Sequence, residues 1–297
     1  MLELNKQRTD TTVLVDEILH SIFFLGAISY PHFTPEMIVG EKVNPLKSNF
    51  PRPFDLYSSQ VPKRCPISCL LDMVVKVTGQ QNETEIICKM HDILDKLERE
   101  NNEKTLISST ICVSQKKNEP TSVRYYGVSM STSGRNPGKI MVAASCLFAW
   151  DSHVGDAVMT YILKEFDNTK SKKAKESETS SFDGTIKVAK HLECQAYNIT
   201  RKEKMPPCKA CAELFGLVTN EKNGWDYGNC AEVGSISNLL KNEVEVKNQI
   251  STAPNGQPDE IRKEVIGKIT AHLKNLLKTV KFKEWNGGVY TPSERNS

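Results

Sequence analysis

The residues best suited to chemistry lie in Met205–Leu240. Cys208 and Cys211 follow Pro207 in a Pro-Cys-x-x-Cys turn, and Cys230 opens a Cys-Ala-Glu that ends at Glu232. Two thiolates three residues apart at a helix start hold one zinc ion, and Cys230 is placed to supply a third ligand. Three protein ligands leave one position for water, and a carboxylate beside that water moves protons as it attacks. The expected metal ligands are therefore Cys208, Cys211 and Cys230, the cofactor Zn2+, and the catalytic residue Glu232. Glu213 also stands two residues past a cysteine, but the Cys208/Cys211 pair already occupies that helix start. Without a metal, the cysteines are buried or inert thiols, and a glutamate in a first helical turn simply answers the helix dipole.

The elements that must position these groups begin with Ser122–Ser131 and Lys139–Trp150, whose apolar and β-branched content reads as two strands of a hairpin around the turn Thr132–Gly138. Leu106–Ser114 is a further short strand, and Leu192–Tyr197 a buried one leading into the Pro-Pro-Cys turn. Ser152 caps a helix starting at His153, with Val154, Ala157, Val158, Tyr161 and Ile162 on one face. Ala231–Leu240 and Glu260–Val280 read as helices. Upstream, Thr12–Ile28, Cys65–Val77 and Glu83–Glu98 carry helical apolar faces, whereas Tyr30–Lys63, rich in proline, reads as an irregular crossing. Two units follow: a mostly helical region over 1–104 and an α/β domain over 105–297. Asp167–Asp183, charged and serine-rich, is expected to be a mobile surface insertion, and Asn248–Gln257 a second flexible break.

With 297 residues, 38% hydrophobic and 25% charged, the composition is globular, and a net charge of +3 gives little encouragement to a dedicated nucleic-acid binder. Lysine is spread along the chain, and the run Lys172, Lys173, Lys175 reads as a solvated face. Ile22–Ser29 is too short to span a bilayer, and Met1–Asp16 lacks the pattern of a secretory signal. A cytoplasmic or nuclear, non-secreted protein with no membrane partner is expected. Nine cysteines, an odd number, fit reduced thiols with a metal-binding subset better than a disulfide framework.

On Pro207-Cys208-Lys209-Ala210-Cys211, and on His153 at the start of the preceding helix, the stretch Ser122–Leu240 resembles the zinc-dependent cytidine and nucleic-acid deaminase superfamily. The resemblance implies an α/β/α sandwich around a mixed sheet, and a zinc-dependent hydrolytic deaminase of a nucleobase in a nucleoside or single-stranded nucleic acid. Its alternative is a catalytically inactive zinc scaffold that meets a protein partner through the helical N-terminal region. Two departures stand out. His153 is the alternative third ligand to Cys230, but the family's glutamate, two residues after that histidine, is Gly155 here, with Asp156 adjacent, so a site of His153, Cys208 and Cys211 implies an inactive scaffold. Cys230-Ala231-Glu232 offers a cysteine and a glutamate but follows Cys-x-x-Cys in the chain, so its use requires an altered topology. Trp225 and Tyr227 are candidates to stack a base or to anchor the linker in the core.

Overall fold

The structure, a computed structural model, describes residues 1–100, 106–119, 121–132, 134–169, 182–252 and 259–293. The N-terminal third is helical: α1 (Leu2–Asn5), α2 (Thr12–Ile28), α3 (Pro35–Val39), α4 (Val43–Asn49), α5 (Pro51–Leu56), α6 (Pro66–Thr78) and α7 (Glu83–Glu100). Helix α2 is buried nearly all round, with Val15, Ile18, Leu19, Phe23 and Phe24 in the core, and packs against α5 and α6. The expected irregular crossing Tyr30–Lys63 instead holds α3, α4 and α5. The prolines cause this rather than prevent it. Pro35 and Pro51 begin α3 and α5, as Pro66 begins α6; a first helical residue needs no N–H, and proline's fixed φ already suits the helix.

The chain then builds a four-stranded sheet from β1 (Thr110–Lys116), β2 (Tyr125–Val128), β4 (Leu192–Asn198) and β5 (Lys204–Met205), while β3 (Ile186–Lys187) pairs with β6 (Ser251–Thr252). The spatial order is β2-β1-β4-β5. Every pairing between these strands is antiparallel, and the one parallel bridge among the described residues, Val61 with Val289, lies outside them, so the expected mixed sheet is not seen there. The remaining helices are α8 (Arg135–Phe148), α9 (Ser152–Thr169), α10 (Lys209–Phe215), α11 (Ala231–Asn242), α12 (Val244–Asn248) and α13 (Asp259–Thr279). The architecture is thus a helix-rich α/β fold.

Two local expectations change. Lys139–Trp150 is not a strand but most of α8, and the hairpin partner of β2 is β1, in the register Cys112↔Gly127. A short apolar run has the same composition in a buried helix as in a buried strand. Here Ile140, Met141, Ala143 and Ala144 are all buried because α9 and α13 cover α8. Of Asp167–Asp183, α9 takes the backbone through Thr169, Phe182 is buried, and the residues between lie outside the described ones.

The period of two along the strands sorts the sheet into two faces. On one, Ile111, Val113, Tyr126 and Tyr197 turn toward the N-terminal helices; the Tyr126 hydroxyl donates to the Gln80 carbonyl at 2.9 Å and the Tyr197 hydroxyl to the Glu83 carboxylate at 2.8 Å. On the other, Cys112, Ser114, Gly127 and Ala196 lie beneath α11. That helix comes down until a Cβ at Gly127 would stand 2.3 Å from the Ser235 amide nitrogen and 2.4 Å from the Ala231 carbonyl oxygen. Glycine is what lets the helix start approach the strand so closely. Ser114 donates to the Ser235 hydroxyl at 2.8 Å, which satisfies the polar atoms trapped between strand and helix.

The C-terminal segment returns to the N-terminal helices. The Tyr290 N–H donates to the Val61 carbonyl at 2.8 Å. Its ring stacks on His20 with centroids 3.7 Å apart, and its hydroxyl donates to the Asp16 carboxylate. Burial holds His20 neutral, pushing its pKa down to about 3.

Candidate metal centre

Cys208 and Cys230 are the residues immediately before α10 and α11, both in extended conformation, and neither side chain caps its own helix. Their sulfurs are therefore free to meet. Cys211, third in α10, turns inward and is fully buried. The Cys208 and Cys211 sulfurs lie 3.8 Å apart, those of Cys208 and Cys230 3.3 Å apart, and all three fall within 4.8 Å of one another. Sulfurs at about 2.3 Å around a tetrahedral zinc are separated by about 3.8 Å. The first distance matches that edge and the second needs only a small opening, so the trio fits a metal ion of this kind.

The backbone around the trio is tied down. Lys209 N–H donates to the Asn223 carbonyl at 3.0 Å, and Met130 N–H, just past β2, donates to the Asn229 carbonyl at 2.8 Å. Gly228, at a φ of +96°, passes so near Val142 that a Cβ would stand 2.6 Å from that side chain. The turn needs both the left-handed conformation and the missing side chain. Within the trio, the Cys211 and Cys230 sulfurs hydrogen-bond to Cys208 and draw its pKa down to about 2, while the same contacts and burial push Cys211 upward.

Glu232, in the first turn of α11, is 4% exposed. Burial raises its pKa, the charge on Cys208 raises it further, and hydrogen bonds from its own backbone and from Cys211 oppose the shift. Its carboxylate is outside the mutual 4.8 Å circle of the three sulfurs, so it neighbours the cluster rather than belonging to it. A cleft of about 360 Å3 opens on this corner, lined by Cys208, Cys230 and Glu232 together with Asn198, Trp225 and Asn229. A larger groove of about 780 Å3 continues outward past Cys208 and Trp225. Trp225 is 73% exposed at the boundary of the two.

The competing residues sit elsewhere. His153 donates its backbone N–H to Asp151 at 3.0 Å and keeps its ring 3.3 Å from the same carboxylate, and it is not part of the cluster. Position 155 has no room for a glutamate. α9 crosses the end of α8 there, and a Cβ on Gly155 would be 2.9 Å from the Cys146 carbonyl oxygen. Asp156 is paired with Arg262 at 2.9 Å. Glu213 accepts from the Tyr227 hydroxyl and faces Lys209 at 3.8 Å. Tyr227 stacks on Tyr161 at 3.8 Å, so it braces the wall of the groove. Asn198, Asn229 and the cysteine pair Cys112 and Cys194 under Glu232 were not singled out by spacing. The period of two along β1 and β4, which puts Cys112 and Cys194 on the face beneath α11, is the signal that could have found the last two.

No family model, curated protein or solved structure matches the chain. Among the described residues no helix is long and apolar enough to cross a membrane.

Proposed function

We propose that the chain is a zinc-dependent hydrolytic deaminase acting on a nucleobase carried in a nucleoside or nucleic acid, with Cys208, Cys211 and Cys230 as metal ligands. The observation that carries this reading is the juxtaposition of three converging sulfurs with one buried carboxylate, Glu232, on the wall of an open cleft. Bound zinc supplies Lewis acidity, which brings water to its nucleophilic form near neutral pH. Glu232 takes the proton that this water sheds and returns it to the departing amine, so that water replaces ammonia on the ring carbon. Glu232 is buried beside the three sulfurs, in place to hold that proton between the two steps. Trp225 offers a flat apolar face to the heterocycle, and Asn198 and Asn229 offer amides at its edge.

The test is Glu232→Gln, which keeps shape and removes the base. It is expected to bind one zinc like wild type and to lose ammonia release from cytosine-type nucleosides and single-stranded oligonucleotides. Equal ammonia release by the variant, or wild type without zinc, overturns the assignment.

A second reading is an inactive zinc scaffold. It is favoured by the way the trio bridges two helix starts 22 residues apart, where a metal stabilises the fold without chemistry. In that case the exposed Tyr30 and Met37 of the N-terminal helical region supply a surface for a protein partner. Wild type that holds zinc but releases no ammonia from any such substrate selects it.

A further inference from the structure

We propose that Cys208 and Cys230 form a reversible disulfide under peroxide, and that this bond releases the metal. The covalent step stands on the placement of the sulfurs; only the loss of zinc rests on the metal-site reading above.

Three observations single out this pair. The Cys208 sulfur is nearer to that of Cys230, at 3.3 Å, than to that of Cys211, at 3.8 Å. Cys208 and Cys230 both line the cleft and Cys211 does not, so a small oxidant that enters meets those two first. Cys208 also faces the outer groove. Finally, Cys208 and Cys230 stand outside the bodies of their helices with extended backbones, whereas Cys211 is within α10. Closing a bond between the first two leaves every helical hydrogen bond in place. A link to Cys211 has to move a residue already fixed by the helix and by its contact with Glu232.

The chemistry balances with hydrogen peroxide as oxidant. The Cys208 thiolate attacks one peroxide oxygen, an S–O bond forms as the O–O bond breaks, and the leaving hydroxide takes a proton to become water. The Cys230 sulfur then attacks the Cys208 sulfur of this sulfenic acid. An S–S bond forms, the S–O bond breaks, and a second water leaves with the proton Cys230 gives up. Two electrons pass from the sulfurs to peroxide. Two of three ligands are thereby removed, and Cys211 alone cannot hold the ion.

The sequence makes the assay selective, because Lys209 and Lys222 place Cys208, Cys211 and Cys230 on separate tryptic peptides, 205–209, 210–222 and 223–241. The zinc-loaded full chain is treated with hydrogen peroxide, free zinc is followed with a chromogenic chelator, and peptides are mapped without reduction. The expected result is a link between 205–209 and 223–241, release of the bound zinc as the link forms, and reversal by dithiothreitol with added zinc. Cys211→Ser keeps the link and Cys230→Ser abolishes it. A link between 205–209 and 210–222, over-oxidised cysteines without any link, or a link with zinc retained overturns the proposal. Zinc is measured before peroxide is added. A chain with none refutes the metal reading and its release step, while peptide mapping still decides the disulfide.

Discussion

Replacing Gly127 by alanine adds a single methyl group, and the structure says where it must go. An ordinary contact for a Cβ begins at 3.4 Å, but the new atom would meet the Ser235 nitrogen at 2.3 Å and the Ala231 oxygen at 2.4 Å, so α11 has to retreat by about 1 Å. Both obstacles are backbone, and no side chain can swing aside to absorb the overlap. Overpacking of this kind costs about 3 kcal/mol, the upper end of its usual range, which in a chain of this size lowers the melting temperature by about 5 °C. The retreat also carries Cys230 and Glu232, at the start of the same helix, away from Cys208 and Cys211. Loss of support around metal ligands weakens binding by about 10–100-fold. Thermal melts and competitive zinc titrations measure the two effects. Gly267→Ala is the control: it lies in α13 with nothing within 4 Å of the new methyl, and is expected to raise stability by about 0.5–1 kcal/mol. If Gly127→Ala melts within a degree of wild type and binds zinc equally, the close approach that positions the site is refuted.

Cys208→Ser, Cys211→Ser and Cys230→Ser are each expected to remove bound zinc, and His153→Ala to keep it; metal analysis of the purified variants decides this, and loss after His153→Ala combined with retention after Cys230→Ser reverses the ligand set. Asp151→Asn is expected to cost about 2 kcal/mol at neutral pH, because burial is outweighed by His153 and Lys247, which hold this carboxyl at about 2 against an ordinary 3.8. Its folded pKa is depressed, so that stability is fully present above about pH 4 and lost as the pH falls toward 2; denaturant unfolding of both proteins across that window should show the gap closing. Arg64→Met leaves the buried Glu17 carboxylate without its partner at 2.9 Å, at a cost of about 3 kcal/mol readable in the same unfolding assay; Arg64→Met with Glu17→Gln should recover part of it.

Much of this was legible in the residue order. Helices α2, α6, α7, α9 and α13 announce themselves by apolar residues at helical spacing, as with Ile67, Leu70, Leu71 and Val74 on the buried side of α6. The convergence of Cys208 and Cys211 follows from spacing alone. That Cys230 rather than His153 joins them does not, because it depends on α11 lying across β1, β2 and β4, a long-range fact set by Gly127. α8 resembles a strand in sequence for a reason of the same kind: Ile140, Met141 and Ala143 are fully buried, and burial erases the periodicity that separates helix from strand. The short helices of residues 35–56 were hidden behind prolines that usually signal their absence.

The Tyr290 hydroxyl and the Asp16 carboxylate are separated by 274 residues of sequence. During synthesis, α2 therefore emerges with His20 and Asp16 still lacking the ring stack and the hydroxyl that Tyr290 brings them. Burial of this polar pair is deferred until nearly the whole intervening chain has left the ribosome, so the first helices to appear are among the last to be finished. A nascent chain arrested before Tyr290 leaves His20 without its stacking partner and Asp16 without this hydroxyl. The completed protein does not.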